Sequence, residues 1–188
     1  MSSENPVEIK SIFKTRWFEL EAHRYVHDAS PYYLLSCPDF VSVVATDPDG
    51  NFLIVKQFRA SIQQEVYELP SGHIEPGEKP EESAVRELLE ETGYQAGHVE
   101  LLGGRPFYPD TGRMQNKMWC YRARNVIKVG DRSGDADEGV EGQVWSPERL
   151  VESIRSGEFN HALNLTALFY AWFENRIDLP IAEKGVSI

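Results

Sequence analysis

Glu87, Glu90 and Glu91 crowd into one short stretch of the run Pro80-Glu-Glu-Ser-Ala-Val-Arg-Glu-Leu-Leu-Glu-Glu-Thr-Gly93. On a helix, residues three and four apart are neighbours, so the three carboxylates share one region of surface. They also lie toward the helix C-terminus, where the macrodipole is negative and acids are disfavoured. Either water screens them or a cation sits among them. A Glu-rich helix is ordinarily a solvated face, but the segment before this one changes the reading. Glu68-Leu69-Pro70-Ser71-Gly72 reads as a strand running into a glycine turn, and Glu75-Pro76-Gly77-Glu78 as a second turn. Turns of this kind let backbone approach a ligand closely. A carbonyl from the loop together with helix carboxylates makes an all-oxygen donor set, which suits magnesium or manganese alongside water and substrate phosphates.

The elements that must hold these groups are legible nearby. Pro80 suits a first helical turn, Glu81 to Thr92 is rich in helix formers, and Gly93 is a left-handed stop. The pairs Ala84/Leu88 and Val85/Leu89 predict its buried stripe. Phe40 to Thr46 and Phe52 to Phe58 read as strands of a hairpin closed by Asp47-Pro48-Asp49-Gly50-Asn51. Val99 to Gly103 and Lys117 to Ala123 read as further strands, and Asp131 to Gly142 as a loop. Ser146-Pro147 opens a short helix to about Arg155. A last helix, Asn160 to Asn175, carries Leu163, Ala167, Tyr170 and Ala171 at helical spacing, with Phe169, Trp172 and Phe173 expected in the core or a dimer contact. Interleaved strands and helices predict an α/β/α sandwich around a mixed sheet. Residues 1–38 stand apart as a small β-strand region, with strands at Arg16 to Ala22 and Tyr32 to Ser36. Such a sheet buries little alone and needs a partner surface. Residues 39–188 form the main domain.

Composition narrows the classes. Hydrophobic residues make up 41% of 188, and no apolar run approaches a membrane span. The formal net charge of -11 disfavours nucleic-acid polymers and anionic membranes. Bound divalent metal can still invert the sign locally for a small phosphorylated substrate. Cys37 and Cys120 are too few for a disulfide framework or structural zinc site, and the first residues lack a secretion pattern, so a cytoplasmic address is expected.

Gly72, Glu78, Arg86, Glu87, Leu88, Glu90, Glu91 and Gly93 fill the fixed places of the pattern G-x5-E-x7-R-E-U-x-E-E-x-G-U. Tyr94 stands where an aliphatic residue is commoner. On these positions the chain resembles the Nudix hydrolases, and so many fixed places in one loop-helix unit make a specific signal. The resemblance implies that the Ser71 carbonyl, Glu87, Glu90 and Glu91 hold Mg2+ or Mn2+. It also implies that Arg86 fixes a carboxylate rotamer and that Glu78 orients loop and helix. Glu87 and Glu90 are candidates for the base that activates water, with Glu87 and Arg86 counted in the catalytic set, but a carboxylate held by metal is a poor base; the resemblance places the general base on a late loop, at Glu138 with Glu141 as runner-up.

Features outside that motif are similar to ADP-ribose and ADP-sugar pyrophosphatases. They are Gln57-Phe58-Arg59, Glu68-Leu69-Pro70 with Ser71 in place of alanine, Pro109 fifteen residues past Tyr94, and Ile154 to Glu158. The resemblance implies substrate contacts from Arg59 and Glu68, and a homodimer built through the N-terminal strands. Tyr108-Pro109-Asp110-Thr111-Gly112-Arg113-Met114 departs from the usual Ser-Pro-Gly and makes Arg113 a candidate phosphate or sugar contact. Trp17 or Tyr32 could stack on the base, a contact worth about 1–3 kcal/mol. The expected activity is magnesium-dependent hydrolysis of a nucleoside diphosphate sugar, ADP-ribose to AMP and ribose 5-phosphate. The alternatives are a GDP- or UDP-sugar substrate, or a non-catalytic sensor, against which the intact acid cluster argues.

Overall fold

A computed structural model describes residues 5–130 and 139–181. Its centre is β4 (Phe40–Ala45), buried from Val41 onward because every residue from there to Ala45 is small or β-branched and faces protein on both sides. β4 pairs in parallel with β10 (Met118–Arg124) and antiparallel with β7 (Ser71–His73), while β9 (His98–Leu101) lines the far edge of β10. A second sheet has β5 (Phe52–Arg59) between β6 (Gln64–Glu68) and β12 (Glu141–Trp145). The hairpin from β4 to β5 joins the two, its turn tied by Asp47 Oδ1 accepting from the N–H groups of Asp49 and Asn51 at 3.0 and 2.8 Å.

Helices cover both faces. α1 (Pro80–Thr92) packs Ala84 and Leu88 onto Val41, Val43, Leu53 and Tyr121. On the other side α2 (Pro147–Ser156) and α3 (Ala162–Phe173) bring Leu150, Ala167, Leu168 and Ala171 against Val44, Phe52, Ile54, Met118 and Trp145. This is the α/β/α sandwich with mixed pairing that the sequence predicts. Two expectations need correcting. Val85 and Leu89 are only half-buried, so the α1 stripe is narrower than the spacing predicts. Of the two places expected for Phe169, Trp172 and Phe173, the core is excluded: they are exposed on the outer face of α3, where Phe169 packs on Trp172 and Phe173, the exposure that a dimer contact requires.

The N-terminal region is a three-stranded antiparallel sheet of β1 (Glu8–Lys14), β2 (Glu19–Arg24) and β3 (Tyr32–Ser36). The predicted first strand, Arg16 to Ala22, is instead a turn followed by β2, and β1 has no counterpart in the prediction. The charged and apolar residues of β1 follow no clean alternation because every one of them is exposed. β3 ties this sheet to the main domain through Leu35, whose N–H donates to the Arg113 carbonyl at 2.8 Å and whose carbonyl accepts from the Gln115 N–H at 3.3 Å. Short pairs β8 (Tyr94–Gln95) and β11 (Ile127–Lys128) complete the strands.

Candidate active site

The acid-bearing helix is built to stop where it does. Pro80 opens α1, and Glu82 reaches back to accept from the Lys79 N–H at 3.1 Å. Lys79 has no acceptor to offer in return. Gly93 ends the helix at φ 76°, its N–H donating to the Leu89 carbonyl at 2.8 Å. This fixes Glu87, Glu90 and Glu91 on the last turns, beside the edge strand β7.

Backbone alternation in β7 supplies the other side. The Pro70 carbonyl accepts from Val43 and the Ile74 N–H donates to Asp39, so the backbone groups of residues 70, 72 and 74 face β4. Those of Ser71 and His73 therefore point outward toward α1. The Ser71 N–H donates to Glu91 Oε2 at 2.9 Å, and the His73 carbonyl accepts from Arg86 Nη2 at 3.0 Å. The Ser71 carbonyl shares that orientation. Between them Gly72 permits the approach: a Cβ there would sit 2.0 Å from Glu87 Oε1.

Arg86 is the hub. Its Nε and Nη2 grip Glu78 at 2.9 Å each, while Nη1 donates to Glu87 at 2.7 Å and to Glu90 at 3.1 Å. Glu78 also accepts from the Ser83 hydroxyl and from the Glu75 N–H. With the guanidinium beside it, Glu78 is held at a pKa of about 2, and Arg86 is pushed further toward its charged form. Glu78 thus clamps the turn to the helix, as expected, and Arg86 does more than a surface ion pair would.

Glu91 is in the opposite situation. It is 7% exposed, and burial, reinforced by the charges of Glu87 and Glu68, pushes its pKa up to about 8 against the pull of the Ser71 N–H and Arg59. Facing it across the cleft, Glu68 is 2% exposed and accepts Arg59 Nε at 3.0 Å, Arg59 Nη2, and Gln57 Nε2 at 3.1 Å. Gln57, Arg59 and Glu68 share a face because β5 pairs Val55 with Glu68, in register with the α1-facing Leu53. Glu68, Glu87 and Glu91 together with Arg59 and Ser71 line a cavity of about 500 Å³, which Phe40, Phe58, Val140, His161, Leu163 and Asn164 close.

The donor set fits a hard divalent cation: carboxylates, an outward carbonyl, and a buried acid whose charge nothing nearby fully offsets. It is not preassembled. Among the described residues no three acidic, His or Cys side chains converge on one point, because the Arg86 guanidinium stands as the cation between Glu87 and Glu90.

Other predicted residues lie elsewhere. Trp17 is 57% exposed in the turn before β2, under the Arg16 guanidinium, and does not line the cavity. Arg113 stacks on Tyr32 at 4.5 Å and donates to the Gly112 carbonyl, anchoring the N-terminal sheet. Glu138 lies outside the described residues; Val140, two residues on, lines the cavity. Glu141 pairs with Lys56, on the β5 face opposite Gln57 and Arg59, and accepts from Gln143. What sequence reasoning missed is the start of α3. Asn164 is buried, accepting from the Leu69 N–H at 2.9 Å and donating to Ser42 Oγ at 3.3 Å, and so pins the strand that leads into the loop. A polar residue inside the apolar run Ala-Leu-Asn-Leu-Thr-Ala-Leu-Phe was the available signal.

Comparison with known proteins agrees with this geometry. A family model described as the NUDIX domain matches residues 38–165. An ADP-ribose pyrophosphatase of Bacillus subtilis is 30% identical over 175 residues, 89% of this chain and 91% of its own length. A methanol dehydrogenase activator of Bacillus methanolicus is 33% identical over 134 residues, 71% of each. A crystal structure of an ADP compounds hydrolase superposes with TM-score 0.75 over 94% of this chain and 98% of its own at 21% identity, a likeness of fold. The matched domain contains the Gly72-to-Gly93 unit and both walls of the cavity, and this chain accordingly belongs to the Nudix hydrolase family, as a Nudix pyrophosphohydrolase.

Proposed function

We propose that this enzyme hydrolyses the diphosphate bond of an ADP-sugar, ADP-ribose, giving AMP and ribose 5-phosphate. The observation that carries the reading is the cavity itself, with Arg59 and Glu68 on one wall and Glu87 and Glu91 on the other. The relative named as an ADP-ribose pyrophosphatase, similar over almost the whole chain, supports the choice of substrate.

Nudix hydrolases generally use a divalent metal, and we assign Mg2+ here, with Glu87, Glu90, Glu91 and the Ser71 carbonyl as the groups that would hold it. When bound, the ion neutralises charge on the phosphoryl oxygens. The chain's own residues do the rest. Arg59, already fixed by two bonds to Glu68, keeps its Nη1 donors for a phosphoryl oxygen. Gln57 and Arg59 occupy the acceptor oxygens of Glu68, which stops that acid from repelling the substrate as a bare charge. Arg86 keeps Glu87 and Glu90 in reach of each other until substrate arrives, and Glu78 keeps Arg86 in place. Glu138 is assigned as the base that takes a proton from the attacking water. In sequence it stands two residues before the cavity-lining Val140, whereas Glu141 is turned to the other face of the sheet.

The exposed β1 residues Ile9, Ile12 and Phe13 would pack against a second copy, making a homodimer. No helix among the described residues is long and apolar enough to cross a membrane.

The test is incubation with ADP-ribose and Mg2+, following AMP by chromatography. Release of AMP and ribose 5-phosphate is expected, with kcat about 10²–10⁴-fold lower in Glu138→Gln. Turnover of GDP- or UDP-sugars in preference would reassign the substrate, and a thermal shift without turnover would make the protein a sensor.

A further inference from the structure

His161 is the one imidazole on the cavity wall besides His73, and nothing in the reading above gives it work. It is the N-cap of α3, and its Nδ1 accepts the Asn164 N–H at 3.3 Å. A nitrogen that accepts holds a lone pair, so the ring proton of the neutral imidazole sits on Nε2. No hydrogen-bond partner for Nε2 stands among the described residues. The cap holds the ring by one nitrogen and leaves the other as a free, oriented donor on the side away from the helix.

That donor stands at a junction. His161 lines the cavity of about 500 Å³ and also an adjoining one of about 360 Å³, which Ser61, Ile62, Val66 and Asn160 wall off on its far side. Arg59, Glu68 and Leu163 are shared by both cavities in the same way. Arg59 has Nε and one Nη2 proton committed to Glu68, and its Nη1 is open. The carboxylate that could compete for these donors, Glu68, already accepts three hydrogen bonds from Arg59 and Gln57. The residues common to both cavities therefore present the donors of His161 and Arg59, with Glu68 already engaged, beside the apolar surface of Leu163. A ligand group matching it is anionic, carries several acceptor oxygens and no protons to donate, and joins two bulkier halves.

We propose that His161 is a substrate-binding residue that donates from Nε2, alongside Arg59 Nη1, to a non-bridging phosphoryl oxygen of the substrate diphosphate. One half of the substrate then lies in each cavity. The inference rests on the pyrophosphatase reading but not on which sugar or base is attached. His161 takes no part in bond breaking; it holds the anion in place.

His161→Asn tests this, since asparagine keeps a capping acceptor and loses the imidazole donor at its reach. Affinity for inorganic pyrophosphate, measured by titration calorimetry without metal, is expected to fall about tenfold, the scale of one charge-assisted hydrogen bond. KM for ADP-ribose should rise in parallel with kcat nearly unchanged, and Tm should stay close to that of the parent. His161→Ala, measured beside it, reports what loss of the cap does to Tm. Equal pyrophosphate affinity in the parent and His161→Asn overturns the proposal, as does absence of pyrophosphate binding in both. Weakened pyrophosphate binding with no ADP-ribose turnover in either protein refutes the substrate assignment instead and leaves His161 in its role.

Discussion

Glu78 and Glu91 are pushed in opposite directions, and the contrast separates holding from chemistry. Glu78 is depressed to about 2 by Arg86, so its contribution to stability is fully present above its unfolded pKa near 4.5 and is lost as pH falls toward 2. Arg86→Ala leaves Glu78, Glu87 and Glu90 facing one another without a cation. We expect the free energy of unfolding at pH 7 to drop by about 2 kcal/mol for a half-buried network, seen as a lower Tm, and acidification to pH 4 to recover part of it. A variant as stable as the parent at pH 7 would contradict the hub role. Glu91 is raised to about 8, so the metal-free fold is favoured by its protonation, and that contribution fades as pH rises from about 4.5 through 8. Glu91→Gln should therefore flatten the decline of Tm between pH 6 and 9 in metal-free protein, while lowering turnover by about 10³-fold or more. Parent and variant with parallel Tm profiles would show that Glu91 is not strained by burial.

The elements β7 and α1 make the site only because they touch. Gly72→Ala places a methyl where the Glu87 carboxylate lies, so the acid must swing away from Arg86 or the strand must shift. Loss of about 10²-fold in kcat with only a small change in Tm is the expected result, since a displacement of an ångström is enough for that. Full activity would mean that Glu87 is not needed where it stands. The α1 unit was legible from its residues because its signals are local: proline at the start, glycine at the end, acids at fixed spacing. The start of α3 was not, because Asn164 matters through Leu69 and Ser42, which are far away in sequence. The width of the α1 stripe was overread for a related reason. Periodicity says which residues share a face but not how far the sheet extends beneath them, and Val85 and Leu89 overhang its edge.

For the whole molecule the sandwich followed from alternating patterns and so did β3 of the N-terminal sheet, but β1 did not, since it is exposed along its length and its residues answer to no core within the described residues. Val7, Ile9, Ile12, Phe13 and Trp17 are too much exposed apolar surface for one small sheet. If a second copy covers them, Ile12→Asp should shift the sedimentation coefficient from dimer to monomer; a monomeric parent would refute the homodimer assignment. The parts converge on one cavity lined by Glu87, Glu91 and Ser71, where we propose that a divalent ion meets a diphosphate. The direct test is a crystal soaked with Mn2+ and a non-hydrolysable ADP-ribose analogue, read at the manganese absorption edge. Anomalous peaks beside Glu87, Glu91 and the Ser71 carbonyl, with Arg86 released from Glu87, are predicted; bound analogue with no anomalous density there would contradict the assignment.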